Sequence, residues 1–238
     1  MKKILVIVLL GLCAAAGAVW YQGGFSRTQV PSPLSHQNFP NPSPTPMAQL
    51  PEEINLDVPF TTQAPKVNWD ADHEEFCEEA SVLMAAAYIN NFTIPNADFA
   101  EEKLQAIKNF ELGEFGYFQD TTAAETAVIL KKFYKVNSIE VVANPSLNDI
   151  KQALAKGKII VAPFAGRELG NPNFTGDGPL YHMLVIKGYT KDGKIITNDP
   201  GTRKGANYIY SSQTILDAMH DWNHGDVTHG AKAMIIVG

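Results

Sequence analysis

The order of two hydrophobic patterns along the chain constrains its fold more than any other feature. In the first half of the candidate domain, apolar residues recur at helical spacing, as on the face formed by Ala80, Leu83, Met84, Ala87 and Tyr88. After Ser138, short apolar runs separated by turn residues are typical of β-strands. Helices that precede the strands, rather than alternating with them, predict an α+β domain.

Local signals predict where the helices begin and end. We expect one helix to follow the Asp-rich segment 70–72 and to place Cys77 at or near its first turn. Capping-box spacing predicts two further helix starts, at the pairs Asp98 with Glu101 and Thr122 with Glu125. A fourth helix is predicted over residues 146–156 and is closed by Gly157.

Strands are predicted where apolar and β-branched residues form short runs bounded by turn residues. The predicted ranges are 56–60, 139–142, 159–163, 182–189, 195–198, 208–210 and 232–237. Asp192 and Gly193 form a typical hairpin turn between two of these strands. The second half of the domain is therefore predicted to be mainly sheet.

Composition predicts three regions along the chain. Residues 1–21 join a basic head to an apolar run, which is typical of a signal peptide or an N-terminal membrane anchor; lipid attachment at Cys13 is a third alternative. Residues 22–51 are rich in Pro and Ser and predict a disordered linker, and residues 52–238 form the candidate domain. We expect this domain to be extracytoplasmic, either secreted or tethered to the cytoplasmic membrane through residues 4–20.

The charge of the candidate domain argues against nucleic acid as a partner. Only three of the 19 basic residues, and none of the 25 acidic ones, precede residue 51. The remainder therefore carries 16 basic and 25 acidic residues, a net charge of −9 that repels phosphate backbones. The sequence also contains no complete G-x-x-x-x-G-K-[ST] phosphate loop and no G-x-S-x-G nucleophile elbow.

A single thiol is the strongest chemical lead. If Cys13 is removed with a signal peptide, Cys77 has no intramolecular disulfide partner. A helix N-terminus favours the reactive thiolate, whereas Glu78 and Glu79 favour the neutral thiol, so a histidine partner is needed to offset them. The alternative is that Cys77 is simply a small buried hydrophobic residue.

Four sequence blocks resemble one known family. They are L-D-V-P-F-T-T-Q at 56–63, F-C-E-E-A-S-V-L-M-A at 76–85, Y-H-M-L-V-I-K-G-Y at 181–189 and N-D-P at 198–200. In this order they resemble the bacteriocin-processing-peptidase-like branch of the papain-like cysteine peptidases, family thirty-nine of cysteine peptidases, over residues 56–237. The chain differs from many relatives in having Glu78-Glu79 where they have Gly-Pro after the cysteine.

The resemblance implies a papain-like fold, in which the helix that carries the nucleophile packs on an antiparallel sheet. It also implies that Cys77 is the nucleophile and that His182 accepts its proton. Asp199 would orient the imidazole, and Gln63 would donate to the oxyanion together with the Cys77 backbone N–H. Specificity is expected in loops such as 167–180, whose Gly, Asn and Pro content predicts a mobile segment.

Other residues offer alternatives to this site. His73 precedes Cys77 by one helical turn and is a competing candidate for the base. The group His220, Asp221, His224, Asp226 and His229 has residue types that bind metals, although a solvated loop is the preferred interpretation. We therefore expect no metal and no cofactor.

The leading hypothesis is an exported cysteine peptidase that cleaves peptide or isopeptide bonds through a thioester on Cys77, with a peptide or protein substrate. One alternative is an acyltransferase that uses the same cysteine. Another is a catalytically inactive peptide- or cell-wall-binding module, suggested by the acidic residues beside Cys77. The sequence does not specify the natural substrate or an oligomeric state.

Overall fold

The structure, a computed structural model, describes residues 50–238. The predicted signal or anchor segment, and the linker 22–51 except for its last two residues, lie outside the described residues. Over residues 50–238, no helix combines the length and the apolar character needed to cross a membrane.

Helices dominate the first half of the described region and strands the second. The helices are α1 (Cys77–Ile89), α2 (Ala97–Glu114), α3 (Ala123–Lys132), α4 (Leu147–Ala155) and α5 (Ser212–Ala218). The strands are β1 (Ile54–Asn55), β2 (Ile139–Ala143), β3 (Ile159–Ala165), β4 (Tyr181–Tyr189), β5 (Ile195–Asn198), β6 (Tyr208–Tyr210) and β7 (Ala233–Val237).

All of these strands join one antiparallel sheet in the order β2-β7-β3-β4-β5-β6, and β1 pairs with β4. Helices cover both faces, because α1 to α3 pack on one face while α4 and α5 pack on the other. Alternate residues of β4 therefore enter different cores: Met183 and Val185 face α1, whereas Leu184 and Ile186 face α4 and α5. The predicted α+β class is confirmed.

Most of the predicted helix starts are confirmed, and one is wrong. Thr122 and Ser146 each accept a hydrogen bond from the third residue of their helix, and both helices have a complete capping box. The start predicted from Asp98 is wrong, because Asn96 caps α2 by accepting a hydrogen bond of 2.9 Å from the Phe99 N–H. Asp98 instead lies in the first turn, where a carboxylate is favoured by the helix dipole.

The predicted strand at 56–60 is also wrong. Ile54 and Asn55 pair with β4, the Leu56 N–H donates one more hydrogen bond of 2.9 Å to Lys187 O, and the chain then leaves the sheet toward Gln63. Pro59 has no N–H to donate to a ladder, so alternation of apolar residues is not sufficient for pairing here. Helix α5 was not predicted from the sequence, and its start is capped by the Ser211 side chain, which accepts a hydrogen bond from the Thr214 N–H.

Candidate active site

Cys77 is the first residue of α1 and is 5% exposed. Every residue of the helix from 77 to 87 is buried, and after Ser81 this buried stretch is entirely apolar. The thiol donates a hydrogen bond of 2.9 Å to Glu78 Oε2, and the nearby Met183 backbone acts to lower the pKa of the thiol. The start of α1 is thus held against the residue that follows His182.

Met183 is available for these contacts because of its place in the sheet. The β4–β5 pairing begins only at Val185 with Asn198, so the edge of Met183 that would face β5 has no strand partner among the described residues. Its carbonyl accepts a hydrogen bond of 3.1 Å from Ser81 Oγ, one helical turn after Cys77. This hydrogen bond fixes the first turns of α1 on the beginning of β4.

His182 and Asp199 form the buried polar pair that the sequence predicted. The distance between His182 Nε2 and Asp199 Oδ1 is 2.8 Å, and both side chains are buried. Asp199 Oδ1 also accepts from the Gly201 N–H at 3.0 Å, which holds the turn after β5 against the carboxylate. This arrangement leaves His182 Nδ1, rather than Nε2, as the ring nitrogen that can face a thiol.

Two residues that the sequence analysis missed complete the environment of Asp199. Its second oxygen accepts hydrogen bonds from Tyr210 Oη at 2.6 Å and from Asn171 Nδ2 at 3.0 Å. Burial by itself raises the pKa of Asp199, but the charge of His182 and the hydrogen bonds to the carboxylate outweigh it and hold this pKa below its ordinary value of 3.8. Nothing near Tyr210 or Asn171 in the sequence signals this role.

The imidazole is packed beneath the surface of the site. The ring of Phe174 meets it edge to face at a centroid distance of 5.2 Å. A Cβ atom at Gly201 would lie 2.9 Å from His182 Cε1, so only glycine allows the backbone to approach the ring this closely. The rotation of His182 is therefore restricted by close packing as well as by Asp199.

Gln63 lies in the site but its amide protons are engaged. Its Nε2 donates to the carbonyl oxygens of His73 and Glu74, at 2.9 and 3.0 Å, which secures the turn before α1. Its backbone N–H donates to Pro200 O at 3.0 Å and so connects this segment to the turn that carries Asp199. The side-chain oxygen is buried and has no donor within residues 50–238.

A cleft of about 940 Å³ opens beside Cys77. Its walls contain Gln63, Cys77 and Glu78, together with residues from segments 172–175, 178–181 and 201–204. The loop that was expected to set specificity therefore lines the cleft. Trp69 and Leu180, each 42% exposed, add apolar surface to the same cleft.

The start of α1 is unusually rich in buried carboxyl groups. Burial raises the pKa values of Glu78 and Glu79 well above 4.5, and Glu111 of α2 raises both further. Burial and the neighbouring Glu78 also raise the pKa of the Cys77 thiol. The neutral thiol is thus favoured in this conformation, and within the described residues no hydrogen bond joins its sulfur to the His182 ring.

The other candidates from the sequence, His73 as the base and a histidine-rich metal site, lie in surroundings that do not match those roles. His73 is buried between Asp70, at 2.6 Å from Nδ1, and Glu101, at 2.9 Å from Nε2. Both ring nitrogens are therefore occupied by carboxylates of the turn and of α2. Across the part of the chain that the structure describes, no three His, Cys, Asp or Glu side chains are grouped so as to hold a metal ion.

Comparisons with known proteins agree with this architecture. The model of the Peptidase_C39 like family matches residues 55–224. A solved structure described as a C39-like peptidase from Bacillus anthracis superposes with a TM-score of 0.52 at 14% identity, over 78% of this chain and 97% of the other. A prointerpain A fragment from Prevotella intermedia has a TM-score of 0.47 at 12% identity, over 79% and 72% of the two chains. No curated protein matches the chain.

Proposed function

Because the chain belongs to the Peptidase_C39 like family, we propose that its cysteine-peptidase-type domain hydrolyses peptide or isopeptide bonds through a thioester on Cys77. The predicted family resemblance is confirmed by the match over residues 55–224. The observation that carries the proposal is the buried His182–Asp199 hydrogen bond at the start of β4, beside the N-terminus of α1. The family implies a peptide or protein substrate.

The chemistry begins with release of the thiol from Glu78. The Cys77 side chain turns toward His182, whose Nδ1 takes the thiol proton while Asp199 stabilises the resulting imidazolium through Nε2. The thiolate then attacks the carbonyl carbon of the substrate, and the Cys77 N–H at the helix N-terminus donates to the oxyanion. His182 passes its proton to the departing amine as the C–N bond breaks.

The second half of the reaction regenerates the enzyme. Water attacks the thioester while His182 removes one of its protons, and that proton returns to the Cys77 sulfur as the carboxylic acid leaves. Gln63 would support both oxyanions only after one of its amide protons leaves the carbonyl of His73 or Glu74. Its contribution therefore requires a local change of the turn before α1.

Cellular location is part of the same proposal. The basic and apolar character of residues 1–21 supports an extracytoplasmic domain that is secreted or held at the cytoplasmic membrane. Fractionation of cells that produce the full chain, with N-terminal sequencing of the domain, tests this proposal. Recovery of an uncleaved chain in the cytosolic fraction alone would reject it.

Labelling of Cys77 with iodoacetamide, measured by mass spectrometry across a range of pH, tests the catalytic pair. We expect labelling of the folded protein near neutral pH, because His182 stabilises the thiolate once the thiol leaves Glu78. His182→Asn should move the labelling profile to higher pH, and Cys77→Ser should abolish both labelling and hydrolysis of peptides. A wild-type profile like that of a free thiol, unchanged in His182→Asn, would contradict the proposal.

A binding module without hydrolysis is the second candidate. The observations that favour it are the hydrogen bond from Cys77 to Glu78 and the raised pKa of the thiol. Equal binding of peptides by wild-type and Cys77→Ser proteins, without cleavage by either, would establish it. Cleavage by the wild type alone would reject it, and analysis of the products in the presence of added amines would distinguish hydrolysis from acyl transfer.

A further inference from the structure

One wall of the cleft beside Cys77 is acidic. The carboxyl groups of Glu74, Glu75, Glu78 and Asp120 line it. Within residues 50–238, none of these carboxyl groups forms an ion pair with a lysine, arginine or histidine. The fold thus places several carboxyl groups beside the nucleophile without an ion pair in this part of the chain to neutralise their charge.

Buried acceptors in the same wall lack donors. Gln63 is 4% exposed and Glu78 is 1% exposed, yet Gln63 Oε1 and Glu78 Oε1 accept no hydrogen bond in the described region. Burial of an acceptor without a donor is costly, and such groups are usually paired in folded proteins. Both residues line the cleft, although the two oxygens are shielded from it, so a small shift of either side chain lets a donor in the cleft satisfy them.

The electrostatics of the wall favour a positively charged donor. Burial raises the pKa of Glu75, and the nearby charges of Asp120 and Glu74 raise it further. A cation reverses these effects, because it stabilises the ionised carboxylates and lowers their mutual repulsion. Arg203 and Lys204 also line the cleft, but neither forms an ion pair with this wall.

We propose that the wall formed by Glu74, Glu75, Glu78 and Asp120 binds a Lys or Arg side chain of the substrate, next to the bond that Cys77 cleaves. This inference rests on the proposed peptidase function and names the substrate class. Glu78 Oε2 lies 2.9 Å from the Cys77 sulfur, so a cation bound there is close to the carbonyl under attack. Lysine and arginine reach about 6 Å from their Cα atoms, which places such a side chain on a residue flanking the scissile bond.

The same contact has a consequence for the thiol. A substrate cation on Glu78 competes with the Cys77 S–H for Oε2, the oxygen that now accepts the thiol hydrogen bond. Release of that bond leaves the thiol free to turn toward His182. A basic substrate residue therefore promotes formation of the nucleophile as well as binding.

The test uses quenched fluorescent peptides in two series, one varied at the residue before the scissile bond and one at the residue after it. Within each series the peptides differ only in that residue, which is Lys, Arg, Gln or Glu. We expect kcat/KM to be at least about tenfold higher for the Lys or Arg peptide than for the Gln peptide. Glu75→Gln and Asp120→Asn should each reduce this ratio several-fold. Glu140→Gln, which removes an exposed carboxylate of β2 outside the cleft, is the matched control and should leave the ratio unchanged.

The inference fails if wild-type protein cleaves the Lys, Gln and Glu peptides at the same rate. It also fails if Glu75→Gln and Asp120→Asn have the stability of wild type and still show the wild-type ratio of kcat/KM between the Lys and Gln peptides. If no peptide is cleaved, the proposed function fails and binding decides the inference separately. Dissociation constants are then measured with Cys77→Ala protein. At least about tenfold tighter binding of the Lys peptide, lost in Cys77→Ala/Glu75→Gln, supports the cationic site. Equal binding of all the peptides overturns it.

Discussion

Glu79 of α1 and Glu111 of α2 form a buried carboxyl pair that should control how stability depends on pH. Neither side chain is exposed, and none of their four oxygens accepts a hydrogen bond from another group in the described region. Because burial raises the pKa of both groups, we expect the folded protein to hold a proton between the two carboxyls, which would satisfy them with a hydrogen bond. Removal of that proton leaves a buried charge without a counterion.

The size of the effect follows from Glu111. Burial raises its pKa from 4.5 to about 8, even though the hydrogen bond from Glu79 acts in the opposite direction. Because the folded state binds this proton more tightly than the unfolded state, its contribution to stability is complete below pH 4.5 and is lost as the pH rises through about 8. The loss is at most about 5 kcal/mol, since each pKa unit corresponds to about 1.4 kcal/mol.

Glu111→Gln removes the titrating group while keeping its shape, and the amide oxygen can still accept a hydrogen bond from the protonated Glu79 carboxyl. We expect the variant to match wild type within about 1 kcal/mol near pH 5 and to exceed it by several kcal/mol near pH 9. Urea unfolding followed by tryptophan fluorescence measures both free energies of unfolding. Glu102→Gln, an exposed substitution in the same helix, is the matched control and should show no such dependence.

A difference between Glu111→Gln and wild type that stays constant from about pH 5 to about pH 9 would refute this reasoning. A Glu111→Gln variant that is less stable than wild type near pH 9 would also refute it. Either result would mean that the Glu79–Glu111 pair does not retain a proton in the folded protein.

Two further predictions concern the catalytic pair and its packing. Tyr210→Phe removes a buried hydrogen bond to Asp199, so kcat/KM should fall about tenfold and the acidic limb of its pH profile should move to higher pH; an unchanged profile would exclude this role. Gly201→Ala places a Cβ 2.9 Å from His182 Cε1 and should reduce kcat without unfolding the protein. Gly113→Ala, with no atom near the added Cβ, should instead stabilise α2 by about 0.5 to 1 kcal/mol with normal activity, and equal kcat in both variants would contradict the packing argument.

The order of helices and strands could be predicted because the signals that specify them are local. Capping by Thr122 or Ser146 involves a residue three positions away, and the β5 and β6 ranges follow from short runs with turns at their ends. Prediction failed where local signals compete, as at Asn96 and Asp98, or where pairing depends on the rest of the sheet, as at residues 56–60.

For the candidate site, the proposed nucleophile, base and orienting carboxylate were recognisable from the sequence, and the pairing of His182 with Asp199 agrees with that expectation. The neighbouring residues that set the environment of these groups were not recognisable from the sequence. Tyr210 reaches Asp199, and Glu111 reaches Glu79, only because α2 and β6 pack where they do. Burial then raises the pKa of Glu111, whereas the charge of His182 and the hydrogen bonds to the carboxylate lower the pKa of Asp199. Spacing within a few residues specifies caps, turns and motif positions, whereas desolvation and long-range contacts depend on which surfaces the folded chain brings together.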